Sequence, residues 1–457
     1  MRRSPWLGVT AVVVAVGTLA KLHAAASWGL LADEAYYWVW SHQLAWGYFD
    51  QPPAIAAWLA GARAIAGDGE LSLRAGGILL GALAPLSVVS ASRDRAFWLL
   101  WGLAAPPLAW LTLFATPDAL LLGTWTLGLG AALRERWVWV GFLGGLATLC
   151  KLTGGLLVPL LLVAVGRQEW QRSRWALLGA MTVPAPYILW NVQYDWVSVW
   201  FPLSENLLGT QAPGLFGPPL QLLLQLAVMT PPLAVMGAVW IVQERAAADR
   251  IDRIAWWTSA PVLLIFVVAA LAGPPEAHWP APAWVGVGLG LSRASGRLLD
   301  TAWVCAWLAL FASCVVWLHG YHPLAQLPKD PATRLTEGPV VAEIVGRWAL
   351  PAGVGAREVG VVDAMPVLTE RYQEAAFIHY YLGIPASKAP GCGRRDQYDL
   401  WAGVSPEQAI FVKPSTGGEV LCTDDHYSKG PRRRRHGEDR PGRIVGVWDV
   451  WELTRVR

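Results

Sequence analysis

Residues 33 to 53 read Asp33-Glu34-Ala35-Tyr36-Tyr37-Trp38-Val39-Trp40-Ser41-His42-Gln43-Leu44-Ala45-Trp46-Gly47-Tyr48-Phe49-Asp50-Gln51-Pro52-Pro53. Two carboxylates open the stretch and a third stands near its end, beside a double proline. Between 36 and 49 come seven aromatics, Tyr36, Tyr37, Trp38, Trp40, Trp46, Tyr48 and Phe49, with no lysine or arginine among them. That composition suits the boundary between lipid headgroups and water, where an amphipathic ring is at home. Carboxylates on an aromatic shelf point to chemistry on a substrate carried by a lipid.

The rest of the chain agrees with a membrane setting. Its 457 residues are 54% hydrophobic and only 15% charged, with 29 tryptophans gathered at the ends of apolar runs. A soluble protein of ordinary surface is excluded by such a balance. The net charge of +3 is small, and no nucleic-acid partner is expected. The first apolar run, Trp6 to about Ala26, is long enough to cross a bilayer. Read instead as a cleaved signal peptide ending at Ala24-Ala25-Ala26, it leaves the acidic stretch on the same side. Pro53 to Ala66 is a short amphipathic segment suited to the interface. Further spans are expected at 71–91, 96–114, 117–133, 137–150, 152–165, 175–190, 215–242, 254–272, 280–292 and 300–318, eleven in all with the first.

Cytoplasmic loops collect lysine and arginine. With the N-terminus inside, the inner segments hold fourteen arginines between Arg2 and Arg297, and the outer ones before the tail hold only Lys21, Arg63, Arg74 and Lys151. The same rule turns 137–165 into an out-and-back hairpin with Lys151 at its tip. Asp33, Glu34, Asp50, Asp118, Lys151 and the turn Glu276-Ala277-His278-Trp279-Pro280 then share one face of the membrane.

From about His322 the composition changes, so the chain divides into a membrane domain, 1–320, with its outer loop at 27–70, and a soluble outer domain, 321–457. The latter reads as α/β, with strands at Glu358–Val362, Ala409–Val412 and Ile444–Trp448 and a helix over Arg371–Leu382. Lys429–Gly442, with its arginine run, reads as a solvated loop. Cys392 and Cys422 are a candidate disulfide in an oxidising compartment, whereas Cys150, Cys305 and Cys314 lie in apolar runs as packing residues.

The acidic pair, the aromatics and Gly47-Tyr48-Phe49-Asp50-x-Pro52-Pro53 resemble the first extracytoplasmic loop of the family 39 glycosyltransferases, enzymes of the GT-C type. These multi-span proteins include protein O-mannosyltransferases and are similar in plan to the aminoarabinose transferases of lipid A. Weaker likeness continues at 116–118, 150–153 and 276–280. Where many bacterial relatives have a basic residue or histidine, this chain has Gln51. The resemblance implies a bacterial plasma-membrane enzyme with a cytoplasmic N-terminus and a periplasmic C-terminal domain. It implies inverting transfer of a sugar from a polyprenyl-phosphate carrier, among membrane lipids, to an extracytoplasmic acceptor: a protein hydroxyl, lipid A or an envelope glycan. The alternative is a transporter or flippase of lipid-linked glycans, although such proteins place ionisable residues mid-membrane and show repeats.

Sugar transfer of this kind needs a base for the acceptor proton and groups that receive the departing phosphate. By resemblance Asp33 is the base; read by itself it caps the following helix. Glu34 orients the acceptor or serves as a helix-start charge. Asp50 and Gln51 stand in a turn stiffened by Pro52-Pro53, as donor-binding candidates or as turn residues. Asp118 follows Thr116-Pro117 and either belongs to the site or starts a helix. Lys151 faces the lipid phosphate or snorkels to headgroups, and His278 donates to the phosphate or anchors the interface. Asp363, Arg371, Tyr372 and Gln373, and Asp396 to Trp401, resemble segments common in bacterial members and carry no assigned chemistry. No cofactor is required, and a divalent metal is left open, since clustered carboxylates can hold one. No nucleotide-sugar site of Asp-x-Asp type and no glycine phosphate loop is present.

Overall fold

The computed structural model describes residues 6–202, 214–246, 249–322, 324–325, 330–350, 365–401, 406–415, 422–423, 427–440 and 443–456. Its chain forms two compact units, one of Met1–Ala26, Ala45–Ile55 and Ile65–Leu318, the other of Ser27–Leu44, Ala56–Ala64 and His319–Arg457. The acidic loop, expected with the membrane domain, is thus shared out: Asp33 and Glu34 cluster with the C-terminal chain, and Asp50 and Gln51 with the membrane helices.

The first unit is helical and apolar. Leu7–Ser27, Arg250–Ala269 and Arg297–Tyr321 are long and apolar enough to cross a membrane, and two bent pairs, Leu152–Val165 with Arg167–Ser173 and Gly214–Met229 with Pro231–Gln243, raise the number to five. Several expected spans are shorter helices in series. The run 96–114 is Arg95–Ala104 followed by Pro106–Leu111, 175–190 is Trp175–Thr182 followed by Ala185–Gln193, and 215–242 bends by 116° at Thr230. Each break sits at Pro106, Pro184 or Pro231, where a missing N–H and a fixed ring cannot continue the ladder. Cys150 and Cys305 are buried as expected, but Cys314 lies on an exposed face.

The second unit holds a six-stranded sheet made of β1 (Val367–Thr369), β2 (Ala386–Lys388), β3 (Gln408–Pro414), β4 (Tyr427–Lys429), β5 (Arg433–Arg440) and β6 (Arg443–Arg455). Strand order is β2-β1-β3-β6-β4, with β5 also paired to β6; β1 runs parallel to β2 and β3, and the other pairs are antiparallel. Leu368, Ala409, Phe411, Trp451 and Leu453 share one buried cluster with Cys392, and Cys392 is disulfide-bonded to Cys422. The helix expected over Arg371–Leu382 spans Tyr372–Leu382. The strand expected at Glu358–Val362 lies outside the described residues, as does Asp363.

Lys429–Gly442 was expected to be a solvated loop, and its described part is instead strand. Alternation explains how four arginines fit there. Arg432 and Arg434 both bond the buried Asp449 carboxylate, at 2.5 and 3.1 Å, whereas Arg433 and Arg435 stand 4.2 and 5.5 Å over the Trp348 ring. The helix Ala32–Trp40 also differs from the reading of its aromatics as an interfacial shelf. Tyr36, Tyr37, Trp38 and Trp40 are buried, and of that stretch Leu44 and Trp46 are the large apolar side chains left exposed. Asp449→Ala leaves two guanidinium groups without their shared carboxylate, at about 1–3 kcal/mol. We expect trypsin to cut this variant within 432–435 several-fold faster than wild type; equal rates would show that Asp449 does not hold the hairpin.

Candidate active site

In the first unit, three polar side chains meet at helix ends. Asp118 stands in the first turn of the helix Pro117–Leu133, where a carboxylate is favoured by the aligned peptide dipoles. Lys151 occupies the break between Trp137–Cys150 and the 3-10 turn Leu152–Leu156, in an extended conformation that turns it out of the helix. That turn folds back so tightly that a Cβ on Gly154 would lie 2.1 Å from the Ala147 carbonyl oxygen, so glycine is required there. Lys151 Nζ donates to both oxygens of Asp118, at 2.8 and 3.0 Å, and both residues are buried. His278 Nε2 lies 3.9 Å from the same carboxylate, and its Nδ1 lies 3.7 Å from Glu276. Burial and the Lys151 charge pull the imidazole down to about 4, against the pull of Asp118, so His278 is neutral at pH 7.

The loop carrying His278 is tied down by Gln225, which donates to the Ala277 carbonyl at 2.8 Å and accepts from Trp284 Nε1 at 3.0 Å. Beside it opens a cavity of about 460 Å³ lined by Pro106, Trp110, Leu111, Val228 and Val316, with His278 on its wall. A neutral imidazole next to a cation held by a carboxylate, bordering an apolar hollow, is suited to a lipid with an anionic head.

In the second unit, the helix Ala32–Trp40 packs on Tyr372–Leu382. Tyr36 lies 4.3 Å from the Tyr372 ring, and Trp38 meets His379 and Tyr380 edge-on at 5.5 and 5.0 Å. The Leu30 amide donates to Tyr381 Oη at 2.7 Å, and the Gln397 amide donates to Tyr36 Oη at 2.6 Å. The two carboxylates diverge on this support. Glu34 is fully buried and accepts the Leu31 amide at 2.9 Å, the returning half of a capping box. Asp33 is open to solvent and accepts from Tyr372 Oη at 2.9 Å. The protein crowded around this open carboxyl raises its pKa above the ordinary value, against the Tyr372 bond and the nearby charge of Arg394.

The capping role read for Asp33 therefore belongs to Glu34. Lys151, Asp118 and His278 come together within the first unit. Asp50 and Gln51 lie in the turn after Phe49, whose ring packs on Phe201 at 4.8 Å, while the Gln51 carbonyl accepts the Tyr48 amide at 3.2 Å. Two residues without an expected role stand at Asp33: Tyr372, singled out in sequence as part of a recurring segment, and Arg394, whose guanidinium lies 5.0 Å over the Tyr372 ring. Nothing local in the sequence marks Arg394. Among the described residues no group of three or more histidine, cysteine, aspartate or glutamate side chains is gathered for a metal ion.

Residues 50–190 match the family Dolichyl-phosphate-mannose-protein mannosyltransferase. The chain is 25% identical over 283 residues to the lipid A galacturonosyltransferase RgtD of Rhizobium johnstonii, a match that covers 55% of this chain and 58% of that relative's length. In structure it is similar to ArnT from Cupriavidus metallidurans in the apo state, with TM-score 0.69 at 17% identity and 98% of each chain covered. The likeness to ArnT bound to undecaprenyl phosphate has TM-score 0.66 at 18% identity, again over 98% of each chain. This is the fold of the membrane-embedded GT-C glycosyltransferases. The family match and the relatives together place the chain in glycosyltransferase family 39.

The Lys151–Asp118 pair can be tested apart from any reaction. Asp118→Ala leaves a buried ammonium unpaired and should cost about 3–5 kcal/mol, read as a lower unfolding temperature in detergent. The double variant Asp118→Leu/Lys151→Met removes both charges and should recover most of that loss; a double variant as unstable as the single one would show that charge burial is not the cause.

Proposed function

We propose that the chain is an inverting glycosyltransferase, which moves a sugar from a polyprenyl-phosphate carrier to a lipid acceptor of the lipid A kind outside the cytoplasm. The observation that carries this reading is the Lys151–Asp118 pair with neutral His278 on the wall of an apolar cavity. Lys151 receives the carrier phosphate as a point charge, Asp118 fixes its direction, and His278 donates a hydrogen bond. Isoprene units occupy the apolar hollow, while Asp50 and Gln51 are assigned to the donor side.

The chemistry balances without a cofactor. Asp33 takes the proton of the acceptor hydroxyl, the hydroxyl oxygen forms a bond to the anomeric carbon, and the bond to the phosphate oxygen breaks with its electron pair leaving on the phosphate. Tyr372 holds the Asp33 carboxylate in its ionised form and in one orientation. The arginine bias between inner and outer segments supports a cytoplasmic N-terminus, and the Cys392–Cys422 bond supports a periplasmic C-terminal unit in a bacterial plasma membrane. The named relatives support transfer rather than transport as the reading.

Asp33→Asn should lower sugar transfer to a lipid acceptor by about 10²- to 10⁴-fold with unchanged unfolding temperature. Full activity in that variant would remove Asp33 as the base. Tyr372→Phe deletes a hydrogen bond that favours the ionised carboxylate, so protonated Asp33 persists to higher pH. The acid limb of the rate-against-pH profile should then move upward, and a limb that stayed in place would show that Tyr372 does not tune the base.

A further inference from the structure

Arg394 is exposed, yet the chain around it is held at several points at once. Gly391 and Gly393 take positive φ values of 76° and 57°, and a Cβ on Gly393 would lie 2.7 Å from the Glu370 carbonyl oxygen. Cys392 between them is buried and disulfide-bonded to Cys422. Buried Lys388 donates to the Arg394 carbonyl at 2.6 Å and is itself held by Asp399 at 2.6 Å and Asp396 at 3.3 Å. Asp396 then caps the short helix Gln397–Leu400. A buried ion triad, a disulfide and two left-handed glycines are a large outlay for a side chain that ends in solvent.

That outlay fixes where the guanidinium goes. Its face lies over the Tyr372 ring, and the Tyr372 hydroxyl bonds Asp33. Stacking uses the flat face of a guanidinium; the N–H donors lie in its plane and form the fork that matches a carboxylate or a phosphate. An alcohol that delivers its proton to Asp33 therefore brings its neighbouring substituents into reach of this fork.

We propose that Arg394 is a specificity-determining residue that binds an anionic group of the substrate, a carboxylate or a phosphate oxygen, beside the reacting hydroxyl. The inference rests on Asp33 being the acceptor base and extends that reading to the class of compound recognised. The anion has two possible sources, a hexuronic acid as the transferred sugar or a phosphate on the acceptor glycolipid. The same fork serves either.

The test uses the full-length protein in detergent, as wild type, Arg394→Ala and Arg394→Lys, after unfolding temperatures are shown to match. Two polyprenyl-phosphate donors, one carrying a hexuronic acid and one the neutral hexose of the same stereochemistry, are each paired with a phosphorylated glycolipid acceptor and its dephosphorylated form. We expect wild type to prefer the anionic member of one pair in kcat/KM. Arg394→Ala should reduce that preference on the order of 10- to 100-fold, with Arg394→Lys intermediate. The pair that loses its preference names the source. An Arg394→Ala protein that keeps the wild-type preference ratio, however much its absolute rate falls, overturns the proposal, as does a wild type with no preference in either pair. If wild type transferred no sugar from any such donor, the proposed reaction would fail instead. Equilibrium binding of the same four compounds to wild type and Arg394→Ala then decides this inference: an unchanged affinity ratio overturns it, and a collapsed ratio supports it.

Discussion

The burial of Tyr36, Trp38 and Trp40 against the helix Tyr372–Leu382 is the contact on which the candidate base depends. A helix of nine residues is too short to persist in water by its own hydrogen bonds. Aromatic burial supplies what propensity does not, since each large ring removed from water contributes roughly 2–3 kcal/mol. The same packing sets the phase of the helix. With the aromatic face turned into the protein, Glu34 points inward and Asp33 outward, and a rotation of one residue would exchange them. A residue 339 positions away in sequence then reaches Asp33 through Tyr372 Oη. The C-terminal chain is thus part of the machinery around this carboxylate.

The first unit solves a different problem. Removing an ammonium and a carboxylate from water costs several kcal/mol per ion, and their attraction offsets this only in good geometry. Lys151 and Asp118 have that geometry because both emerge at helix ends, one where a helix begins with Pro117 and the other where a helix gives way to a 3-10 turn. The broken helices are therefore not defects of a simpler bundle. Polar side chains can gather at membrane depth only where backbone ends are turned inward and satisfied. Pro106 and Pro107, at one such break, also form part of the cavity wall next to His278.

Much of this was legible in the chain. Composition and the spacing of apolar runs gave a membrane protein, arginine placement folded 137–165 back on itself, and the change near His322 marked the outer domain. Lys151, Asp118 and His278 were readable because each sits at a punctuated helix end. The misreadings share one physical origin. Tyr36 to Trp40 have the composition of an interfacial belt, and Arg432 to Arg435 that of a solvated loop, because composition reports what a side chain tolerates and not what it touches. The partners that decide the matter, Tyr372, Tyr380, Trp348 and Asp449, lie far along the chain. Arg394 was invisible for the same reason. Its loop carries ordinary glycine and cysteine signals, and only the disulfide, the Lys388 grip and the Tyr372 stack, seen together, make its position unusual.

Asp33 and Glu34 show most directly how environment assigns chemistry. They are neighbours in sequence with the same functional group, and both fall in the first turn of one helix. Glu34 accepts an amide at the helix start and is sealed from solvent, so protonating it would break a cap and leave a buried amide without that acceptor. It is held ionised for structural reasons and is a poor candidate to shuttle protons. Asp33 faces solvent, with one neutral donor from Tyr372 and crowding that favours its protonated form, so its two protonation states lie closer in free energy. A general base must both take and release a proton in each cycle. Of the two, only the carboxylate whose environment leaves both states accessible can do so, and that assignment follows from packing before any comparison with relatives is made.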